Sequence, residues 1–410
     1  MKRSYLTLQN IVLGVFILSN SICAQELDGL IEEALINNPE VQMFEMQYQR
    51  ASEKVNEVNA IGNTDLGVGY FISEPETRTG PQRFKVSVKQ MVPWFGTITA
   101  RENYVSSLID SKYQDIAIVK RKLMASVSQS YYNLYTIKAK QGILTENIAL
   151  LQSYEQLALT SLEVGEASAV DILQLQMRQN DLEQLKKILD QDFLAEQTAL
   201  NKFLNRDKDI VVQLVDSLFI PETDDLNKKY DLELHPELIK YDKLYESVIQ
   251  SELLNQKESS PMMGFGLDYI NVQKRTDMDV VDNGKDIVMP MVSISIPIFN
   301  SKYKSTSKQN KLLQEEITYQ KLDRFNKLEI ALEKALKSRE ASRISYNTQV
   351  INLEEAKHAE ILLTKSYETG TVDFNDILDI QELQLKFQME QVEALKRYYI
   401  QNTIINYLSQ

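Results

Sequence analysis

Residues 97–163 read TITARENYVSSLIDSKYQDIAIVKRKLMASVSQSYYNLYTIKAKQGILTENIALLQSYEQLALTSLE, and no proline interrupts them. Residues 302–368 form a second stretch of the same length, again without proline. At 1.5 Å rise per residue, each predicts a helix about 100 Å long. No globular core of 47.2 kDa needs such a length. Apolar residues recur at three- and four-residue steps, as in Leu322, Phe325, Leu328, Leu332 and Leu336. Leu175, Leu182, Leu185, Leu189 and Phe193 repeat the pattern beyond the first stretch. That spacing is a coiled-coil seam. Separate soluble bundles would explain the seam but not two equal giant helices.

Working outward, the chain is written twice. Residues 161–176 (SLEVGEASAVDILQLQ) and 366–381 (SYETGTVDFNDILDIQ) are identical at seven positions, at an offset of 205. Asn38-Pro39-Glu40 is echoed by His235-Pro236-Glu237. Val86-Ser87-Val88 with Pro93-Trp94-Phe95 is echoed by Val292-Ser293-Ile294 with Pro297-Ile298-Phe299. Three echoes in one order indicate a duplicated unit. The expected organisation is a leader at 1–24, a first repeat at 25–204, a connector at 205–235 and a second repeat at 236–410. Each repeat should hold a short helix (28–60, 236–257), two strands (64–72 with 83–92, 263–272 with 288–296), the long helix and a last helix.

The strand candidates alternate. Leu66, Val68 and Tyr70 oppose Asp65, Gly67 and Gly69, while Phe84, Val86 and Val88 oppose Lys85, Ser87 and Lys89. Met263, Phe265, Leu267 and Tyr269 oppose Gly264, Gly266 and Asp268, and Val292, Ile294 and Ile296 oppose Ser293 and Ser295. Short apolar-out, polar-in segments suit a transmembrane β-barrel, although a half-buried soluble sheet alternates in the same way. Pro290 cannot donate to a ladder, which predicts a fourth strand beginning after it. Four strands cannot close a barrel, and an open edge in lipid leaves backbone groups unpaired. Three chains would supply twelve strands, so a homotrimer is expected.

The N-terminus fits a cleaved secretory leader. Lys2 and Arg3 precede an apolar run from Ile11 to Leu18, with cleavage expected after Ala24. Removing two basic residues takes the net charge from −13 to −15. Cys23, the only cysteine, would be the lipidated residue of a lipoprotein signal, but Ile22 stands where a small side chain is wanted. One cysteine and two histidines argue against a disulfide framework or a Cys/His zinc site, so no metal or cofactor is expected. No Met or His cluster marks a metal site. The acidic balance argues against nucleic acid. No nucleophile elbow, P-loop or His-Glu-x-x-His is present, and an enzyme is not expected.

On the Asn38-Pro39-Glu40 start, the Val92-Pro93-Trp94-Phe95-Gly96 strand exit and the paired Gly165…Asp171-Ile172-Leu173 and Gly370…Asp376-Ile377-Leu378 segments, the chain resembles the TolC family of outer-membrane efflux proteins. The resemblance covers essentially the whole chain after the leader. It implies a mainly α protein with a small β part: a long antiparallel coiled-coil barrel, plus four transmembrane strands per protomer that complete a 12-stranded barrel in the trimer. It implies a passive exit duct in the outer membrane, reaching into the periplasm. Such a duct meets a periplasmic adaptor and, through it, an inner-membrane pump. The rival readings are a periplasmic coiled-coil adaptor or structural protein, and the channel of a type I protein secretion system. Small molecules or ions are the expected cargo, and drug, metal-ion and protein cargo are not told apart by the sequence.

The resemblance assigns residues. Val164, Gly165, Thr369 and Gly370 match the tips that contact the adaptor; a plain helix-terminating glycine is the other reading. Asp171, Tyr367, Asp376 and Asp379 match the periplasmic gate, and helix capping is the other reading for Asp171 and Asp376. The family's gating arginine falls at Val372, so that salt link is absent. Trp94, Phe95, Tyr70 and Tyr269 suit the membrane interface, and burial at the equator would explain Trp94 equally well. The stretches 73–82 and 273–286 are the expected extracellular loops.

Overall fold

The computed structural model describes residues 27–163, 168–224, 230–299, 301–369 and 371–409. The expected leader with Cys23, and Val164, Gly165 and Gly370, lie outside the described residues. Helix α1 covers 27–37, followed by α2 (Pro39–Val58), β1 (Thr64–Tyr70), β2 (Glu76–Thr77), β3 (Gly80–Val92), α3 (Thr97–Glu163) and α4 (Ala169–Phe203). The second half holds α5 (Pro236–Glu258), β4 (Met262–Val272), β5 (Ile287–Ser295), α6 (Ser301–Glu368) and α7 (Phe374–Ser409). The fold is thus mainly helical with a small sheet. The two giant helices have 67 and 68 residues. None of the described helices is long and apolar enough to cross a membrane.

The chain divides into two compact units, and each draws on both halves of the sequence. One unit, with residues up to Phe44, Ile116–His235 and from Phe325, is helical. In it, Val119, Leu123, Val127, Tyr131 and Leu134 step along α3 at helical spacing and bury against Ala34, Val41, Leu200 and Leu204. The helix expected over 28–60 breaks at Asn38. Pro39 cannot donate a backbone hydrogen bond, and the Asn38 side chain caps α2, accepting from the Glu40 N–H at 2.9 Å. The connector is tied down by hydroxyls and charge. Tyr131 accepts from the Val215 N–H at 3.1 Å, and Tyr135 from the Leu218 N–H at 2.9 Å. Asp224 is bridged by Arg339 at 3.0 Å and by Arg343, and accepts from the Tyr398 hydroxyl at 2.5 Å.

The other unit, Glu45–Asp115 with Pro236–Arg324, carries the sheet. The strands are antiparallel in the order β1-β3-β4-β5, with β2 paired to β3. The register aligns Leu66, Val88, Leu267 and Pro290 in one row, and Val68, Val86, Tyr269 and Val288 in the next. These rows share one face. The other face aligns Gly67, Ser87, Asp268 and Met289. The alternation read from the sequence is therefore a single two-faced sheet. Strand β5 begins at Ile287 rather than after Pro290. The correction has a physical reason: within the chain β5 is paired on one side only, so the missing N–H of Pro290 need not cost a bond to a second strand of the same chain. Gly80 turns into β3 with φ +128°, and a Cβ there would stand 1.9 Å from the Gln273 carbonyl oxygen. The loop after β4 and the turn before β3 are joined by Gly284 N–H to Thr79 O, 2.7 Å.

Candidate functional site

Two regions hold the residues singled out above. In the helical unit, the ends of α3 and α6 and the starts of α4 and α7 bury an apolar cluster of Leu151, Ala158, Ile172, Leu175, Phe374, Ile377 and Leu378, with Tyr154 and Tyr367 against it. Tyr367 packs on Phe374 at 5.3 Å between ring centroids, and Tyr154 meets the same ring at 6.2 Å. The shared Asp-Ile-Leu of both turns follows from this. Its Ile and, in the second turn, its Leu supply the cluster, and its Asp serves the helix start.

Asp171 and Asp376 are capping carboxylates. Asp171 accepts from the Ser168 N–H at 3.0 Å while Ser168 accepts from the Val170 N–H, which is a reciprocal capping box. Asp376 accepts from the Asp373 N–H at 3.2 Å, and Asp373 accepts from the Asn375 N–H at 2.9 Å. Each carboxylate satisfies a backbone donor orphaned by the helix start. Asp379 is exposed and makes no hydrogen bond or ion pair among the described residues. Thr369 is exposed, and its hydroxyl donates to the Ser366 carbonyl at 3.0 Å. The Thr371 N–H reaches the same carbonyl at 2.9 Å, a five-residue closure that ends α6.

The sequence reading missed the polar centre of this region. The Glu360 carboxylate accepts from the Tyr154 hydroxyl at 2.7 Å, from the Gln384 amide at 2.8 Å and from the Gln381 amide. Three helices, α3, α6 and α7, are joined at one side chain. Burial, and then the bond to Glu360, raise the Tyr154 pKa above its ordinary value, so the phenol stays a donor. These residues are far apart in sequence, and glutamate and glutamine on helices give no local signal. A second link joins α4 to α7 through the Arg178–Glu382 ion pair. The Arg178 hydrogen bond holds the Glu382 carboxyl below its ordinary value of 4.5.

The sheet is the second region. Its edge strands β1 and β5 each lack a partner on one side within the chain. Its apolar face is bare: Leu66 is 76% and Val68 81% exposed. The opposite face is polar and self-paired, with Asp65 across from Lys89 and Lys85 bridging to the buried Asp268. Tyr70 and Tyr269 lie on the apolar face, Tyr70 opposite Phe84 and Tyr269 opposite Val86. Trp94 and Phe95 stand at the β3–α3 junction with centroids 5.7 Å apart, beside the Gly96 turn at φ +78°. Trp94 is partly exposed there and not in a core. Among the described residues no group of three or more His, Cys, Asp or Glu could hold a metal ion.

Residues 30–206 match the family model for outer membrane efflux proteins. A comparison with curated proteins finds no match. Solved structures share the fold. CusC, described for folding and transmembrane channel formation, is 14% identical with a TM-score of 0.76, over 94% of this chain and 92% of that one. The outer membrane protein VceC of Vibrio cholerae is 16% identical with a TM-score of 0.73, over 94% and 96%. The MtrE outer membrane channel of Neisseria gonorrhoeae is 14% identical with a TM-score of 0.72, over 94% and 89%. Residues 30–206 thus resemble the outer membrane efflux protein family, and over 94% of its length the chain carries the fold of these solved channels.

Proposed function

We propose that the protein is the outer-membrane exit channel of a tripartite efflux assembly, a homotrimer that passively conducts solutes from the periplasm to the exterior. The observation that carries this reading is the sheet: a bare apolar face and two unpartnered edges on the same chain as helices of 67 and 68 residues. Backbone groups at a lipid-exposed edge cost several kcal/mol each, so the edges need partners. β1 of one protomer pairing with β5 of the next, three times over, closes a 12-stranded barrel. The helices support the same assembly. Leu328 is 2% exposed while Leu322, on the same seam, is 55% exposed, leaving apolar surface for a sibling helix.

Val164, Gly165, Thr369 and Gly370 form the adaptor-contacting tips, with the inner-membrane pump reached through the adaptor. Asp171, Tyr367, Asp376 and Asp379 line the periplasmic entrance. The caps made by Asp171 and Asp376 are compatible with that role, and Asp379 is free to face a lumen. Trp94, Phe95, Tyr70 and Tyr269 sit at membrane-interface levels. The two repeats, 25–204 and 236–410, supply two barrel strands each, β1 with β3 and β4 with β5, and are joined by the connector 205–235. The protein acts without a cofactor and as a conduit, not an enzyme.

The test is the mass of the purified protein in detergent, followed by conductance in a planar bilayer. Three protomers and discrete conductance steps are expected. A monomer without conductance would refute the reading.

A further inference from the structure

We propose that the helix end of the sheet binds anionic phospholipid headgroups, through lysines set beside exposed apolar side chains at both strand-to-helix junctions. The inference rests on the channel reading in taking the bare sheet face to lie in lipid, and goes beyond it by naming the charge of that lipid. The first observation is local charge. Residues 301–314, the opening of α6, hold Lys302, Lys304, Lys308 and Lys311 and no acidic residue, in a chain of net charge −13. A helix N-terminus carries partial positive charge, so lysines in the first turn are repelled by the helix itself. The first turn of α6 has no acid to offset them. α3, the counterpart in the first repeat, shows the ordinary remedy, since Arg101 is paired with Glu258 at 3.1 Å. Lys302 and Lys304 are exposed and form no ion pair among the described residues, although Lys302 rests over the Tyr303 ring at 5.7 Å.

The second observation is what surrounds them. β5 leads into α6 through Ile298 and Phe299, which are 80% and 91% exposed. β3 leads into α3 through Trp94 and Phe95, and there the Lys257 ammonium lies 3.6 Å from where a Cβ on residue 96 would stand. Lys257 is also exposed and forms no ion pair among the described residues. Each junction therefore ends the lipid-facing strands with bare apolar side chains and sets an ammonium just beyond them. That pairing fits a phospholipid, with the apolar side chain against the acyl boundary and the ammonium against the phosphate. Depth decides which lysines take part. The headgroup layer is roughly 5–8 Å deep. Lys302 and Lys304 lie within about 5 Å of the start of α6, and Lys311 about 15 Å from it. At the loop end of the sheet Arg83, Arg275 and Lys285 already have carboxylates of the chain, Glu74, Asp277 and Asp282, so less charge is left for a headgroup.

The test is competition between two lipids, read by native mass spectrometry. Purified protein in a non-ionic detergent receives equal amounts of phosphatidylglycerol and phosphatidylcholine with the same acyl chains, and the lipids retained on each oligomer are counted. A lysine near an anionic surface contributes about fivefold, so the wild type should retain phosphatidylglycerol over phosphatidylcholine by roughly tenfold or more. The variant Lys257→Gln, Lys302→Gln, Lys304→Gln should retain the two lipids equally. Lys257→Arg, Lys302→Arg, Lys304→Arg should keep the preference, and Lys311→Gln, beyond headgroup depth, should match the wild type. Added inorganic phosphate should displace no phosphatidylglycerol; displacement would assign the lysines to a free anion and overturn the proposal. Equal retention in the wild type, or an undiminished preference in the triple glutamine variant, would overturn it as well. So would loss of the oligomer in that variant before lipid is added, because the lysines would then serve a sibling's carboxylates. A conducting trimer indifferent to headgroup charge sinks this inference alone, whereas a monomer without conductance sinks the channel reading.

Discussion

At the α6–α7 turn one chain satisfies itself. Glu360 gathers donors from Tyr154, Gln381 and Gln384, Asp171 and Asp376 close their own helix starts, and Phe374, Ile377 and Leu378 are buried by residues of the same protomer. At the sheet nothing comparable holds. β1 and β5 present unpaired edges, and Leu66, Val68 and Val292 are bare. On the channel reading, the contrast separates what a polypeptide settles alone from what it leaves to siblings and lipid. A defect at the turn should act within each protomer, on stability and opening. A defect at the sheet should act on assembly.

The largest effect is expected from a charge on the apolar face. Val68→Arg or Leu267→Arg places a cation against lipid, at roughly 2–4 kcal/mol per protomer at the bilayer midplane. Carbonate-resistant trimer in membranes should fall more than tenfold. Lys89→Arg on the polar face should leave it intact. Equal effects on both faces would erase the distinction between them.

Next comes Glu360→Ala. It removes the acceptor shared by three donors on α3 and α7 and should lower stability by about 2 kcal/mol, since hydrogen bonds to a charged group contribute more than neutral ones. The trimer should still assemble, and its conductance should rise as the helix ends loosen. Loss of assembly would move Glu360 into the same class as the sheet.

A smaller change, about 1 kcal/mol, is expected for Asp376→Ala through loss of its cap. Asp379→Ala breaks no cap, so stability should hold while conductance or cation block changes. An unchanged channel would remove Asp379 from the gate.

The smallest effect concerns pH. The carboxyl of Glu382 titrates below its ordinary value of 4.5 in the fold because Arg178 binds its charged form. Such a group contributes stability above pH 4.5, and the contribution is lost as pH falls below that value through the folded one. Its ion pair with Arg178 is largely exposed, which keeps the effect at a few tenths of a kcal/mol. Unfolding of wild type and Glu382→Gln should therefore differ at pH 6 and converge in more acidic solution. A difference that persists in acid would contradict the assignment.

Local signals carried most of the fold. The absence of proline set α3 to the residue and α6 to within one, because helix continuity is a property of consecutive residues. Strand alternation likewise marked both faces of the sheet. What depended on neighbours in space was not legible. Pro290 fits inside β5 because within the chain that strand is paired on one side only. The Glu360 centre needs α3, α6 and α7 side by side. The capping role of Asp171 and Asp376 was open in the sequence, and their hydrogen bonds establish it.

The central claim is that the two sheet edges of one protomer are completed by its siblings. Cysteine cross-linking tests it directly. In a Cys23→Ser background, Leu66→Cys in β1 is combined in turn with Val288→Cys, Val292→Cys and Ile294→Cys in β5, and membranes are oxidised. Bands of two and three protomers should appear for at least one combination. Intrachain closure, or no cross-link at any of the three, would contradict the account.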